Sequence, residues 1–188
     1  MRIITGTLKG RRLSSPTWPE LRPTSDRLRE TLFNILGDRV LEATVLDACA
    51  GTGALGFEAL SRGAVAVTFI DRDRRATDFI SDHATRFGVT DRCSVICATI
   101  PPVDRDRLST PFDLVLLDPP YDAPEIGDIL SSVGVCLTET GVLVLENDRR
   151  AVTPVVRGLE AVRRVVSGGS RLDFYRSTRT HVESGQGA

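Results

Sequence analysis

A doubly wound α/β sheet, mostly parallel and completed at one edge by an antiparallel hairpin, is the fold this sequence predicts. Three observations point to it. From Thr44 onward, short β-branched runs alternate with segments of helical period. A glycine-rich turn joins the first such run to the first helix of the series, and two final β-rich runs flank Gly168-Gly169. With 188 residues, 41% of them hydrophobic, the chain is long enough for one sizeable core and short for two.

Residues 1–39 read as a small basic extension. Arg2 to Leu13 alternates weakly around Gly6 and Gly10 and predicts a short hairpin carrying Lys9, Arg11 and Arg12. Ser14 to Pro23 contains three prolines and is expected to be a loop. Thr24 or Ser25 can then cap a helix in which Leu28, Leu32, Ile35 and Leu36 share one face, with Gly37 as its stop and Arg27, Glu30 and Thr31 off the stripe.

Residues 40–180 form the main domain. Its strands are expected at Thr44 to Asp47, Ala66 to Ile70, Ser94 to Cys97, Asp113 to Leu117 and Gly141 to Glu146. Its helices are expected at Ala54 to Ser61, Arg74 to Phe87 and Glu125 to Leu137. The hairpin pairs Ala161 to Ser167 with Arg171 to Ser177, and the small polar residues 181–188 are expected to fray.

Composition excludes several classes. The longest apolar runs, such as Leu114 to Leu117 and Val142 to Leu145, are too short to cross a bilayer. The opening Met1-Arg2-Ile3-Ile4-Thr5-Gly6 lacks the apolar stretch of a secretory signal, so a cytoplasmic protein with no membrane partner is expected. Cys49, Cys93, Cys97 and Cys136 form no Cys-x-x-Cys pair and only His83 and His181 accompany them, so reduced, mostly buried thiols and no metal are expected. The net charge of −1 conceals an asymmetry: residues 1–39 hold eight Lys and Arg against four Asp and Glu, and residues 151–188 hold six against three. A basic arm on an acidic body suits contact with phosphates, and a solvated surface reads equally well from charge alone.

The turn runs Asp47-Ala48-Cys49-Ala50-Gly51-Thr52-Gly53-Ala54-Leu55-Gly56 between the first strand and its helix. Glycine at 51 and 53 lets a ligand approach the backbone, and the amides of a helix start attract a carboxylate or phosphate. Asp71, at the end of the second strand and 20 residues after Gly51, stands where a ribose-binding acid belongs. A dinucleotide fits these glycines as well as S-adenosylmethionine does. Asp47 tilts the choice, because a carboxylate there attracts the cationic amino acid end of S-adenosylmethionine and repels a pyrophosphate.

Asp118-Pro119-Pro120-Tyr121 closes the fourth strand at its carboxyl end, the place where open α/β sheets bind ligands. Two prolines donate no hydrogen bonds, so the turn presents acceptors, which is what an amino substrate requires. The amino group of a nucleobase is a poor nucleophile, since its lone pair is delocalised into the ring. The Asp118 carboxylate and the Pro119 carbonyl, by accepting its hydrogens, favour the developing sp³ nitrogen and orient it. Tyr121 offers a face for stacking a base.

Three segments together resemble the bacterial 16S ribosomal RNA guanine-N2 methyltransferases of the RsmD type: Arg22-Pro-Thr-Ser-Asp-Arg-Leu-Arg-Glu-Thr-Leu-Phe-Asn-Ile-Leu36, the Asp47 to Gly56 turn continued through Phe57 to Ala64, and Asp118-Pro-Pro-Tyr121. The first segment, with the opening Arg2 to Gly6, makes the likeness specific. It implies a Rossmann-like class I methyltransferase sheet that transfers a methyl group from S-adenosylmethionine to the N2 amino group of one guanine in 16S rRNA. It further implies a substrate already assembled with small-subunit proteins and a basic amino-terminal extension that helps hold the RNA. By that likeness Asp47, Gly51, Gly53 and Asp71 bind cofactor, and Asp118 with Tyr121 holds the guanine, Pro119 and Pro120 completing the turn. Arg11, Arg12, Arg22 and Arg27 become candidates for RNA contact, Arg12 and Arg22 foremost. One departure concerns adenine: no acid follows the third strand at Val95-Ile96-Cys97-Ala98-Thr99, which leaves the Ala98 amide or the Thr99 hydroxyl.

Other classes fit less well. A DNA amino methyltransferase shares the Asp-Pro-Pro-Tyr chemistry but needs room for target recognition. An NAD-dependent oxidoreductase needs a proton-transfer residue, and neither His83, on a predicted helix, nor His181, in the tail, is well placed. A non-catalytic RNA-binding module leaves Asp118 to Tyr121 without a purpose.

Overall fold

The computed structural model describes residues 1–14, 25–104, 108, 111–120 and 126–179. Its seven-stranded sheet comprises β1 (Thr44–Ala48), β2 (Ala66–Asp71), β3 (Cys93–Cys97), β4 (Phe112–Leu117), β5 (Leu137–Asp148), β6 (Leu159–Ser167) and β7 (Ser170–Ser177), in the order β3-β2-β1-β4-β5-β7-β6. Strands β1 to β5 are parallel, and β7 lies antiparallel between β5 and β6. This is the mostly parallel, Rossmann-like sheet with a carboxyl-terminal hairpin that the sequence predicts.

Helices cover both faces, so the central strands carry almost continuous apolar runs. On one face, α1 (Asp26–Leu36), α2 (Ala54–Ser61) and α3 (Arg74–Phe87) bury Val45, Val67, Phe69, Leu114, Leu116, Val142 and Val144. On the other, α4 (Ile126–Gly134) packs over Leu46, Ile70, Val115, Leu117, Leu143 and Leu145. Ser25 caps α1 by accepting from the Leu28 amide at 3.2 Å. Thr24, Glu125, residues 15–23 of the expected loop and the expected frayed tail, 181–188, lie outside the described residues.

Two boundaries differ from expectation. The helix expected to reach Leu137 ends at Gly134, where an added Cβ would come within 2.9 Å of Leu159. Cys136 then turns the chain, its carbonyl accepting from the Phe112 amide at 2.7 Å, and Leu137 opens β5 opposite Phe112. Strand β5 also outruns the expected Gly141 to Glu146, because β4 and β7 offer it backbone partners from Phe112 to Ser170. The polar Thr138-Glu139-Thr140 interrupts its apolar pattern, which hid that extension.

The amino-terminal hairpin shrinks to a single bridge, Arg2 opposite Arg12, with Ile3 donating to the Arg11 carbonyl at 3.0 Å and Gly10 to that of Ile3 at 2.9 Å. Other backbone groups of the arm turn to α2. Ile4 and Thr5 donate to the Glu58 carboxylate at 2.8 and 3.1 Å, and Leu8 donates to Ser61 Oγ at 2.9 Å. Gly6 makes this docking possible: its φ is +87°, and a Cβ would stand 1.7 Å from the Ser61 carbonyl oxygen. Ile3, Leu8 and Leu13 thereby join the core beneath α1 to α3.

His83 holds the end of the same arm. Its Nε2 accepts from the Ser14 amide at 3.2 Å while Nδ1 donates to the Phe79 carbonyl at 2.9 Å, so the ring is a buried structural link. His181 lies outside the described residues. The cysteines are free, but only Cys136 is buried; Cys49, Cys93 and Cys97 are half-buried, which corrects the expectation of mostly buried thiols. No helix among the described residues is long and apolar enough to cross a membrane.

Candidate active site

Strand β1 delivers Asp47 to the carboxyl edge of the sheet and hands the chain to α2 through a turn in which Cys49 (φ +60°) and Gly53 (φ +71°) take left-handed backbone. At Gly53 an added Cβ would also press on Ile80 and Phe57 at 3.0 Å, so glycine suits the position twice. The turn is braced from within. Gly51 donates to Asp71 Oδ2 at 2.8 Å, Gly53 to the Ala50 carbonyl at 2.7 Å, and Gly56 to Asp47 Oδ2 at 2.8 Å. These three amides are engaged by the protein itself, so a ligand approaching the turn meets the acids that organise it. Asp71 Oδ1 accepts from Asp73 at 2.9 Å, and a carboxylate so engaged keeps further lone pairs for donors outside the protein.

The neighbouring strands bring the second motif alongside. Ala48 lies opposite Ile70 on one side and Leu117 on the other, and Leu117 lies opposite Leu145. One residue further on each strand stand Asp71, Asp118 and Glu146. Side chains alternate along strands, and Phe69, Leu116 and Val144 belong to the core face beneath α1 to α3, so all three acids continue that face. Asp47, 1% exposed, lies one pleat lower on it, between β2 and β4. The two places that the sequence singled out are thus adjacent, on one face of one edge. Asp118 is half-buried, Pro119 buried and Pro120 exposed; Tyr121 lies outside the described residues.

The acids feel one another. Burial raises the Asp47 carboxyl well above the usual carboxylate range, the Gly56 amide opposes the shift, and the charges of Asp118 and Asp71 add to it. An acid whose folded pKa lies above its unfolded value stabilises the fold below the unfolded pKa and loses that contribution as pH rises through the folded one. Asp47→Asn keeps an oxygen for Gly56 and removes the ionisation. It should therefore melt above the wild type by roughly 2 to 4 °C per kcal/mol gained, with a gap that widens as pH increases. Thermal unfolding of both proteins over a pH series checks this, and parallel curves would refute it. The Cys49 thiol, pushed up to about 12 by burial and then by Asp71, Asp118 and Asp47, is no nucleophile near neutrality.

Beyond β3 the Ala98 amide donates to the Asp71 carbonyl at 2.9 Å, so it is not the open donor the sequence suggested for adenine. Thr99, exposed, remains, at the rim of a hollow of about 20 Å³ shared with Ile70, Ile96 and Ile100. Of the expected RNA-binding residues, Arg11 lies away from this edge. Arg11 donates to the Arg86 carbonyl at 3.1 Å and stacks 5.6 Å from the Phe87 ring, at the far end of α3. That end is about 20 Å from Arg74 at the site, at 1.5 Å per helical residue. Arg12 and Arg27 are exposed, the latter in the first turn of α1, and Arg22 lies outside the described residues. Sequence reasoning missed Glu58 and Glu146; an acid directly after the apolar run Val142 to Leu145 was the available signal for the latter.

Known proteins share this architecture. The profile of the family described as Conserved hypothetical protein 95 matches residues 1–176. The Bacillus subtilis protein YlbH is 33% identical over 167 residues, covering 84% of this chain and 88% of that one. Ribosomal RNA small subunit methyltransferase D of Escherichia coli K12 is 41% identical over 128 residues, covering 64% of this chain and 60% of the relative. The chain belongs to the RsmD family. It thus aligns with about three fifths of that E. coli relative's length. Among solved structures, yhhF from E. coli superposes with a TM-score of 0.79 at 30% identity, covering 94% of this chain and 97% of that one. Thermus thermophilus TTHA0928 superposes at 0.77 and 26% identity, covering 93% and 98%. The RsmD family fold is the class I methyltransferase sheet, here with its carboxyl-terminal hairpin.

Proposed function

We propose that this chain transfers a methyl group from S-adenosylmethionine to the N2 amino group of one guanine in 16S rRNA, met as a small ribosomal subunit or an assembly intermediate. The observation that carries the reading is the placement of the β1 glycine turn beside the Asp118-Pro119 turn on one face of the sheet edge. The acids at this edge fit the cofactor: Asp71 and Asp118 suit its ammonium and sulfonium charges and would repel the pyrophosphate of a dinucleotide, with Asp47 buried between their strands. When bound, S-adenosylmethionine supplies an electrophilic methyl group. In this reading Asp71 takes the ribose hydroxyls, Gly51 and Gly53 keep the backbone close, Asp47 braces the turn from beneath through the Gly56 amide, and Thr99 stands at the adenine end.

Asp118 and the Pro119 carbonyl accept the two amino hydrogens, which turns the nitrogen lone pair toward the methyl group. As the nitrogen gains its fourth bond it becomes acidic, and Asp118 is placed to receive the released proton. Tyr121 stacks the base, and Pro120 shapes its approach. Residues 40–180 carry this chemistry, while residues 1–39 hold RNA away from the target base through Arg12 and Arg27, with Arg11 and Arg22 assisting.

Because Ile3, Leu8 and Leu13 are core residues, deleting the arm would unfold the protein, and charge reversal tests it better. Lys9→Glu with Arg12→Glu should weaken RNA binding and lower its salt slope by about one for each phosphate that is no longer neutralised. An unchanged slope would remove the arm from the RNA interface. The activity itself is tested with methyl-labelled cofactor and undermodified small subunits. Label should map to the N2 atom of a guanine in 16S rRNA, and label on another base or on protein would overturn the proposal.

A further inference from the structure

We infer that Glu146 reads the target base by accepting its N1–H, making it a specificity residue beside Asp118; the inference rests on the proposed guanine reading. Register and alternation place it. Leu145 lies opposite Leu117, so Glu146 and Asp118 leave neighbouring strands side by side, and Val142 with Val144 puts Glu146 on the face that carries Asp118, Asp71 and Asp47. Glu146 is 6% exposed and directly follows the apolar run Val142 to Leu145. Its main chain pairs with Leu172 of β7, directly after Leu145 pairs with Leu117 of β4, so the residue sits on a strand and not on a loop.

The chemistry selects one base. Guanine presents two adjoining donors, N2–H and N1–H, and acceptors on strands about 4.8 Å apart can meet both. Adenine and cytosine carry a ring acceptor next to their amino group, which a carboxylate at this position would repel. Asp118 alone suits any amino base; Asp118 with Glu146 suits guanine. The second acid therefore accounts for a choice that the Asp-Pro-Pro-Tyr turn does not make.

The test uses the full chain and small subunits reconstituted with either guanine or 2-aminopurine at the mapped position. 2-Aminopurine keeps the reacting amino group but has a bare ring nitrogen in place of N1–H. The wild type should prefer guanine by about 100-fold in kcat/KM, because a carboxylate facing a lone pair loses a buried hydrogen bond. Glu146→Gln, whose amide can donate to that nitrogen, should slow transfer to guanine and bring the two substrates within about tenfold, with S-adenosylmethionine affinity unchanged. A structural role for Glu146 would lower both rates together. A variant that keeps the full preference overturns the inference, and so does a wild type that treats both bases alike, a comparison that needs no folded variant. Labelling of adenine or cytosine by the wild type would instead defeat the guanine reading itself.

Discussion

Asp118→Ala should lower kcat by roughly a thousandfold while leaving S-adenosylmethionine affinity within a few-fold of the wild type. The expectation follows from what the residue can touch. Asp118 stands one residue past Leu117, level with Asp71 but one strand beyond β1. In the glycine turn beside it, the Gly51 amide is held by Asp71 and the Gly56 amide by Asp47, so Asp118→Ala keeps both of these acceptors. Asp118→Asn, which keeps one acceptor oxygen but cannot take up a proton, should fall between the two. Single-turnover transfer together with calorimetry of cofactor binding separates the outcomes. Near wild-type turnover in Asp118→Ala would remove its catalytic role, and a collapse of cofactor affinity would reassign it to binding.

Glu58→Ala should cost about 3 to 5 kcal/mol of folding free energy, the effect of breaking a buried charged network. The carboxylate is fully buried, accepts from the Ile4 and Thr5 amides, and pairs with Arg62 Nε at 2.8 Å. Truncation leaves two amides and a guanidinium without that partner and loosens Ile3 and Leu8 from the core. Arg62 also lies over the Phe33 ring at 5.1 Å, so the disturbance should spread to α1. Urea unfolding gives the loss directly, and limited proteolysis should cut first within residues 1–13. A loss below about 1 kcal/mol would mean that the arm docks by its apolar side chains alone.

Residues with local signatures were legible in the sequence. Alternation and β-branching located the strands, the glycines located the turn, and Ser25 and Gly37 bounded α1. Asp47, Asp71 and Asp118 stood out because each lies at or next to the carboxyl end of an expected parallel strand, the edge where open α/β sheets bind ligands. Long-range information was not legible. Glu58 reads as an ordinary helical acid until Ile4 and Thr5 are seen to reach it across more than fifty residues. Glu146 had a local signal, an acid after an apolar run, but its neighbour Asp118 emerges only from register, and a single sequence carries no register between β4 and β5. The Ala98 amide failed as an adenine contact for the same reason, since its acceptor is a carbonyl on the neighbouring strand. The amino-terminal hairpin forms but is shorter than its alternation suggested, because Ile4, Thr5 and Leu8 find partners on α2.

A crystal structure with S-adenosylmethionine bound tests the central claim most directly. The methyl carbon should lie over the carboxyl end of β1 and face the Asp118-Pro119 turn, with room for one amino nitrogen about 3 to 3.5 Å from it. A methyl group directed toward β3, or lying on the face covered by α4, would contradict the account.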